Sequence, residues 1–498
     1  MLNVKESDFN KLNLIKLLRE FTPREMNNFG KFVRSPFFNN QSTLIRLFDE
    51  LKKYYPDFSD KSLNKELLFR KVNPDSEFND IQFRKYISNL FKLAGEYLSY
   101  IEYDTNPVRK KLNLIEQLSK RNLNEFFGKI MNEIDNNSNE KNFISSEYFY
   151  DMHLINESKI MHSIRTNKLN FIPPDLKASH NYLILQLLMT TTVYNNMLLV
   201  NKKTFKNSEI YSYMDDFLKD FNYEDFYSKF DSMSVEFKNF VELCKYDLML
   251  SKDSFNRDYL EKMKSLIIGL SDALNENMLY TFMSHLNIYY LINIEKGDTC
   301  FDNELFQNYK FMIEKGIYIT ENIRFINYSE YRTILAIALK VREFKWAENF
   351  IEEYGKCFEG VQKNDYYNYS LAFLKFEKKE FEEALKLISL IRLDELILRL
   401  DVNIIIAMIY YELGYFSTAV SAADSFKRFL KENELISEEV KNSHLNFVNS
   451  YKALLKCRES VFDKFETEKA ISETENQNIF RRKNWLLEKF NDILKMNM

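Results

Sequence analysis

All seven prolines of this 498-residue chain lie at or before Pro174, so the 324 residues that follow (498 minus 174) contain none. Proline breaks a helix interior because it lacks an N–H and clashes with the preceding turn, and glycine weakens one. With only 9 glycines in the whole chain, such a run suits continuous helices joined by short polar turns. Sheets of either kind would need more turn glycines. The expected fold class is therefore all-α. Hydrophobic residues make up 45% and charged residues 29%, a balance with ample apolar material to bury and none of the signature of disorder.

Lys and Arg number 69 against 73 Asp and Glu, a net charge of −4. No tail or block carries a strong sign, so long-range attraction for a phosphate backbone is not expected. Cys244, Cys300, Cys357 and Cys457 are irregularly spaced. They read as buried free thiols of a reducing cytoplasm rather than a disulfide framework or a zinc site. Charges interrupt MLNVKESDFNKLNLIKLL where an export signal needs an apolar core, so the expected location is cytoplasmic. Ala178 to Asn201 carries no formal charge, but Asn181, Gln186, Thr190, Thr191, Thr192, Asn195 and Asn196 dilute it. It reads as a buried core helix, and no membrane span is expected.

Residues 1–104 read as an N-terminal helical domain. Thr22-Pro23-Arg24-Glu25 is a capping box with Pro at the first helical position, and that helix should end before Pro36. A second helix is expected over about 41–55 and a longer one over 80–103, with Phe83, Ile87, Leu90, Ala94 and Leu98 at helical spacing. Asn106-Pro107 marks a boundary, and residues 105–325 read as irregular helical hairpins. The clearest is 278–294, a Gly297-Asp298 turn, then 303–315. Polar linkers are expected at Asp135–Asn142 and at Ile172-Pro173-Pro174-Asp175, and an extended connection at Ile317–Tyr328.

Residues 326–435 carry a repeat. Three times an apolar helix and a polar turn lead to an aromatic residue, two further residues and an alanine: Phe344-Lys345-Trp346-Ala347, Phe381-Glu382-Glu383-Ala384 and Phe416-Ser417-Thr418-Ala419. The alanines are 37 apart (384 minus 347) and 35 apart (419 minus 384), close to the roughly 34-residue tetratricopeptide (TPR) period. A small residue there lets the second helix approach the first, and the aromatic plugs the turn. Ala372 and Ala407 stand twelve before two of these alanines, whereas Leu335 stands before the first. The pattern predicts an α-α superhelix of TPR-like hairpins, with residues 436–498 as C-terminal packing or capping helices.

Phe29-Gly30-Lys31-Phe32, Ser35-Pro36-Phe37-Phe38-Asn39 and Tyr55-Pro56-Asp57-Phe58 open a set of echoes that continues through Trp346-Ala347-Glu348-Asn349-Phe350 to Trp485-Leu486-Leu487-Glu488-Lys489. On these stretches, spread over nearly the whole length, the chain resembles a family of uncharacterised bacterial TPR-like helical-repeat proteins. The resemblance implies the fold and carries no activity with it.

Motifs for chemistry are missing. Gly355 and Gly360 are followed by Val361-Gln362 where a phosphate loop needs Lys-Ser/Thr, and no nucleophile elbow or zincin motif occurs. Of five histidines, His153 and His162 with Glu157 make the best constellation, one that lacks further ligands in sequence. No catalytic residue, cofactor or metal is expected, and the chain reads as a non-enzyme. The expected function is protein–protein interaction or scaffolding through the concave surface of the first helices. On that surface TPR geometry puts Tyr366, Tyr369, Phe373 and Phe376 from the second repeat and Ile404, Met408 and Tyr411 from the third. An apolar groove suits a protein or peptide partner in the form of an amphipathic helix. Helices at about 438–457 and 479–494 have apolar faces that could fill the groove from within the chain. The alternative, less favoured on charge, is nucleic-acid binding by the N-terminal domain, where Phe83-Arg84-Lys85-Tyr86 pairs basic and aromatic residues.

Overall fold

The computed structural model describes residues 12–58, 64–137, 144–204, 222, 225, 235–318, 326–356, 358, 363–459, 461, 463–477 and 482–496. Among them are 22 α-helices and a single isolated parallel bridge, Ile144 with Leu274. The chain divides into two compact units, one of Met1–Ser138 with Ser158–Leu169, the other of Asn139–Glu157 with Asn170–Met498.

The first unit begins with α1 (Asn13–Arg19), α2 (Pro23–Arg34), α3 (Ser42–Lys52), α4 (Lys65–Val72) and α5 (Asp80–Thr105). At the start of α2 the Glu25 amide donates to Thr22 Oγ1 at 3.2 Å and the Thr22 amide donates back to Glu25 Oε2 at 2.7 Å. Two otherwise orphaned donors are thereby satisfied. Ser35 is extended, as the residue before Pro36 must be. Phe29 at the centre is fully buried, its ring 5.2 Å from Phe48 and 5.3 Å from Tyr97. Burying such a ring contributes about 1.5–3 kcal/mol. Gly30 sits mid-helix because a Cβ there would stand 2.9 Å from Phe48 Cε1, so α2 and α3 approach where no larger residue fits. The unit continues with α6 (Pro107–Lys120), capped by the Asn106 side chain, and α7 (Asn124–Asn137). The expected linker at Asp135–Asn142 begins inside α7, and residues 138–143 lie outside the described ones.

The helix α8 (Ser146–Arg165) contributes to both units. The second unit then runs through α9 (Ile172–Thr204), α10 (Val235–Lys252), α11 (Arg257–Gly269), α12 (Glu276–Glu295) and α13 (Phe301–Glu314). It continues with α14 (Tyr328–Lys340), α15 (Phe344–Tyr354), α16 (Lys363–Glu377), α17 (Phe381–Ile388), α18 (Leu396–Glu412) and α19 (Phe416–Glu432). The last three are α20 (Glu438–Glu459), α21 (Lys464–Glu475) and α22 (Lys483–Met496). From α9 onward each helix packs against the next, and α14, α16 and α18 also touch in succession.

One turn recurs at the three hairpins. Arg342, Lys379 and Gly414 adopt φ of 66°, 64° and 76°, each five residues before the repeat alanine. The following amide reaches back across the helix end: Glu343 to Ala338 and Glu380 to Lys375 at 2.9 Å, and Tyr415 to Tyr410 at 2.8 Å. This is the left-handed helix stop that satisfies the last carbonyls. Ala347, Ala384 and Ala419 are fully buried one turn later.

Two expectations are corrected, and a third lies largely outside the described residues. Ile172-Pro173-Pro174-Asp175 is not a linker but the first turn of α9, where proline is tolerated because the first amides have no intrahelical acceptor. Cys300 is exposed in the turn before α13 rather than buried; Cys244 is buried, Cys457 half-buried, and Cys357 lies outside the described residues. The extended connection expected at Ile317–Tyr328 falls largely on residues 319–325, outside the described ones, and Tyr328 already opens α14. Among the described residues no helix is long and apolar enough to cross a membrane.

Candidate functional site

The seven residues singled out for partner binding lie on α16 and α18, as their helical spacing requires. Tyr369, Phe373, Phe376, Ile404 and Met408 are between 1% and 5% exposed, and Tyr366 and Tyr411 are half-buried. Tyr366 stacks on Tyr328 of α14 at 3.8 Å. Phe376 meets Phe381 at the hairpin turn, 5.5 Å between centroids.

Much of what covers the others comes from the end of the same chain. The Arg482 guanidinium lies 4.5 Å above the Phe373 ring and bonds Glu377 at 3.3 Å. Burial pushes the Glu377 carboxyl above its ordinary value, with Arg482 pulling the other way. Trp485 of α22 sits edge-on to Tyr411 at 5.5 Å and donates its Nε1–H to Glu412 at 2.9 Å. Lys489, one turn on, reaches the same carboxylate at 2.9 Å. Tyr451 of α20 donates its hydroxyl to the Ala407 carbonyl. Leu486, Phe490 and Ile493 on the adjoining side of α22 are 2% exposed or less, and α22 packs against α20 and α21.

One ion pair and one buried carboxyl, both on α14, were not visible in the spacing. Arg332 of α14 donates from one nitrogen, Nη1, to both carboxylate oxygens of Asp401 of α18, at 2.8 and 2.9 Å. Burial alone would lower the guanidinium; the Asp401 carboxylate outweighs it and holds Arg332 above its ordinary value. Glu330 accepts from the hydroxyls of Tyr280 at 2.9 Å and Tyr318 at 3.2 Å. Its burial raises the carboxyl above the ordinary 4.5, against the pull of the two tyrosines. An acid held above its unfolded value binds its proton more tightly when folded, so its contribution is complete below 4.5 and lost as pH rises through the folded value. Glu330→Gln keeps an oxygen for the tyrosines. It should flatten the pH dependence of the melting temperature as pH rises above 4.5; a slope equal to the wild type's would acquit Glu330.

The histidine constellation does not converge. His153 Nδ1 lies 2.9 Å from Ser179 Oγ, which donates to Glu157 at 2.7 Å. His162 instead stacks on Phe127 at 3.6 Å, 3.2 Å from Ser119 Oγ. Burial, then Lys168 and Arg165, hold its imidazole below the ordinary value. Among the described residues no group of three or more His, Cys, Asp or Glu is placed to hold a metal.

A polar cluster that the sequence did not flag lies deep in the second unit. Asp247 of α10 is fully buried. Its carboxylate accepts from Asn196 of α9 at 2.9 Å, from Tyr289 of α12 at 2.6 Å, and pairs with His285 Nδ1 of α12 at 2.6 Å. Tyr289 also reaches the Asp247 carbonyl at 2.8 Å. Burial, then the carboxylate, push the Tyr289 hydroxyl well above its ordinary value, so it stays a donor. Three helices are tied at one carboxylate.

Comparison with protein-family models, with curated proteins and with solved structures finds no match to this chain. It is an all-helical protein of many packed helix pairs, and no family is identified for it.

Proposed function

We propose that the chain is a non-catalytic scaffold in which α14–α19 are TPR-like hairpins of an α-α superhelix, with α14, α16 and α18 on the inner side and the chain's own C-terminal helices laid against it. The observation that carries the reading is the turn repeated three times, with a left-handed residue five before a fully buried alanine. The succession of α14, α16 and α18 supports it further. Arrays of this kind offer extended surfaces to protein partners. An amphipathic helix seeking Phe373 or Met408 would have to displace α20 or α22, so the partner surface is sought on the faces that remain open.

A second reading, nucleic-acid binding by the first unit, has its own support. That unit holds 26 Lys and Arg against 19 Asp and Glu, leaving 43 (69 minus 26) against 54 (73 minus 19) in the other. Phe37 is 87% exposed at the head of a row of rings, 5.0 Å to Phe38, then 5.7 Å to Tyr100 and 6.5 Å to Tyr103. Exposed rings on a basic unit are what unpaired bases stack on.

Affinity purification of the tagged full chain from its own cells, washed at low and at high salt, separates the two. A protein retained in stoichiometric amount at high salt is the expected result. Nuclease-sensitive material that is lost steeply as salt rises would favour the second reading. The chain recovered alone under both conditions would overturn the scaffold.

A further inference from the structure

Helix α9 is apolar on two opposite sides. Leu185, Leu188 and Met189 are buried on one, where the helix packs against α10, α12 and α20. On the other, Leu176, Leu183, Leu187 and Tyr194 are 40%, 44%, 46% and 61% exposed. With His180 and Thr190 in the gaps, these positions advance by steps of 4, 3, 4, 3 and 4. That 3.5-residue period keeps one stripe facing a second helix along its whole length. A second apolar stripe on a helix whose first is already buried is a contact face still to be covered.

We propose that this stripe is the contact face of a second copy of the chain, α9 against α9 about a two-fold axis. Ala178 to Asn201 contains no charged residue, so two identical faces meet without like-charge repulsion. The half-buried flanks mix apolar Ile184, Val193 and Leu198 with uncharged Gln186 and Asn195, and charges border the stripe only at its start, Asp175 and Lys177 beside Leu176, so beyond that end the face carries no charge pattern to select a different chain. From 176 to 194 the stripe is about 28 Å long at 1.5 Å per residue. Stripe and flanks contributed twice reach the order of 1,000 Å², the area a specific interface needs. An isologous contact of this kind closes at two copies. The inference stands whichever reading of the hairpins holds.

Sedimentation equilibrium of the full chain, over about 1–100 µM, should give the mass of two copies. Leu183→Glu with Leu187→Glu should weaken the pair about 100-fold or more with helical content unchanged, since both side chains are exposed in one copy. Mixing that variant with Leu183→Lys and Leu187→Lys should restore the two-copy mass. A wild-type chain of single mass throughout overturns the proposal. In that event, helical content lost in the double glutamate variant would assign the stripe to residues 205–234, where Ile210, Met214, Phe217 and Phe221 repeat steps of 4, 3 and 4; content retained would assign it to a different protein. A two-copy mass indifferent to the glutamates overturns it too, because the contact then lies elsewhere.

Discussion

Asp247→Ala is expected to destabilise the protein by about 3–5 kcal/mol, the effect of removing the shared acceptor from a fully buried polar network and leaving a cavity in its place. The carboxylate is an acceptor only, and it meets donors from Asn196, Tyr289 and His285 on two other helices. Without it the Tyr289 hydroxyl keeps the Asp247 backbone carbonyl and the Asn196 amide keeps the Thr192 carbonyl at 3.4 Å, but both lose their shorter bond and the His285 imidazole loses its carboxylate partner in a buried region. Each buried donor left unmatched costs about 1–3 kcal/mol. Asp247→Asn should lose less, since one oxygen remains to accept from Tyr289. The amide nitrogen would then face the Asn196 amide or His285, so the loss is still measurable. Denaturant unfolding followed by circular dichroism reads both; a loss under about 1 kcal/mol for Asp247→Ala would mean that the network contributes no net stability.

The helices themselves were legible because the punctuation is so sparse. A capping box at Thr22 and prolines at 36 and 107 sit at helix ends in the structure as in the sequence. The register of Ala347, Ala384 and Ala419 was also legible. The left-handed turn before each was not, since only one of the three residues there is a glycine; Arg342 and Lys379 give no sign of their φ. Pro173-Pro174 misled for a related reason. A proline pair reads as a break from either side, and only the amides that need no partner at a helix start distinguish the two cases.

The candidate site was half legible. Spacing put Tyr369, Phe373, Met408 and Tyr411 on successive first helices, because period alone assigns a face. What stands opposite a face is a long-range fact. Arg482 is over a hundred residues from Phe373, and nothing local marks it as a lid on an aromatic ring. Asp247, Asn196 and His285 were opaque for the same reason: each is one polar residue among several on its helix, and nothing local marks it as the one that turns inward. Their meaning appears only when the three helices are side by side.

Aspartate at Met408 tests what the face on α16 and α18 is for. Met408 is 1% exposed and the neighbouring Ala407 carbonyl is engaged by Tyr451. Met408→Asp therefore removes a buried thioether and inserts a carboxyl into an apolar site, a loss of about 4–5 kcal/mol or more. Phe373→Asp removes a larger ring, yet its new carboxylate would lie under the Arg482 guanidinium, now 4.5 Å above the ring. Glu377 already bonds that guanidinium, so the compensation is shared. Phe373→Asp should accordingly be the milder of the two despite the greater volume lost. Both should loosen the chain's end, with limited proteolysis releasing α22 before other helices. Melting curves and digestion patterns equal to the wild type's would mean that this face is open in solution, and the groove would return as the place for a partner's amphipathic helix. If Phe373→Asp proves the more damaging, Arg482 is not free to pair, and the contact between α16 and the C-terminal end is an apolar one.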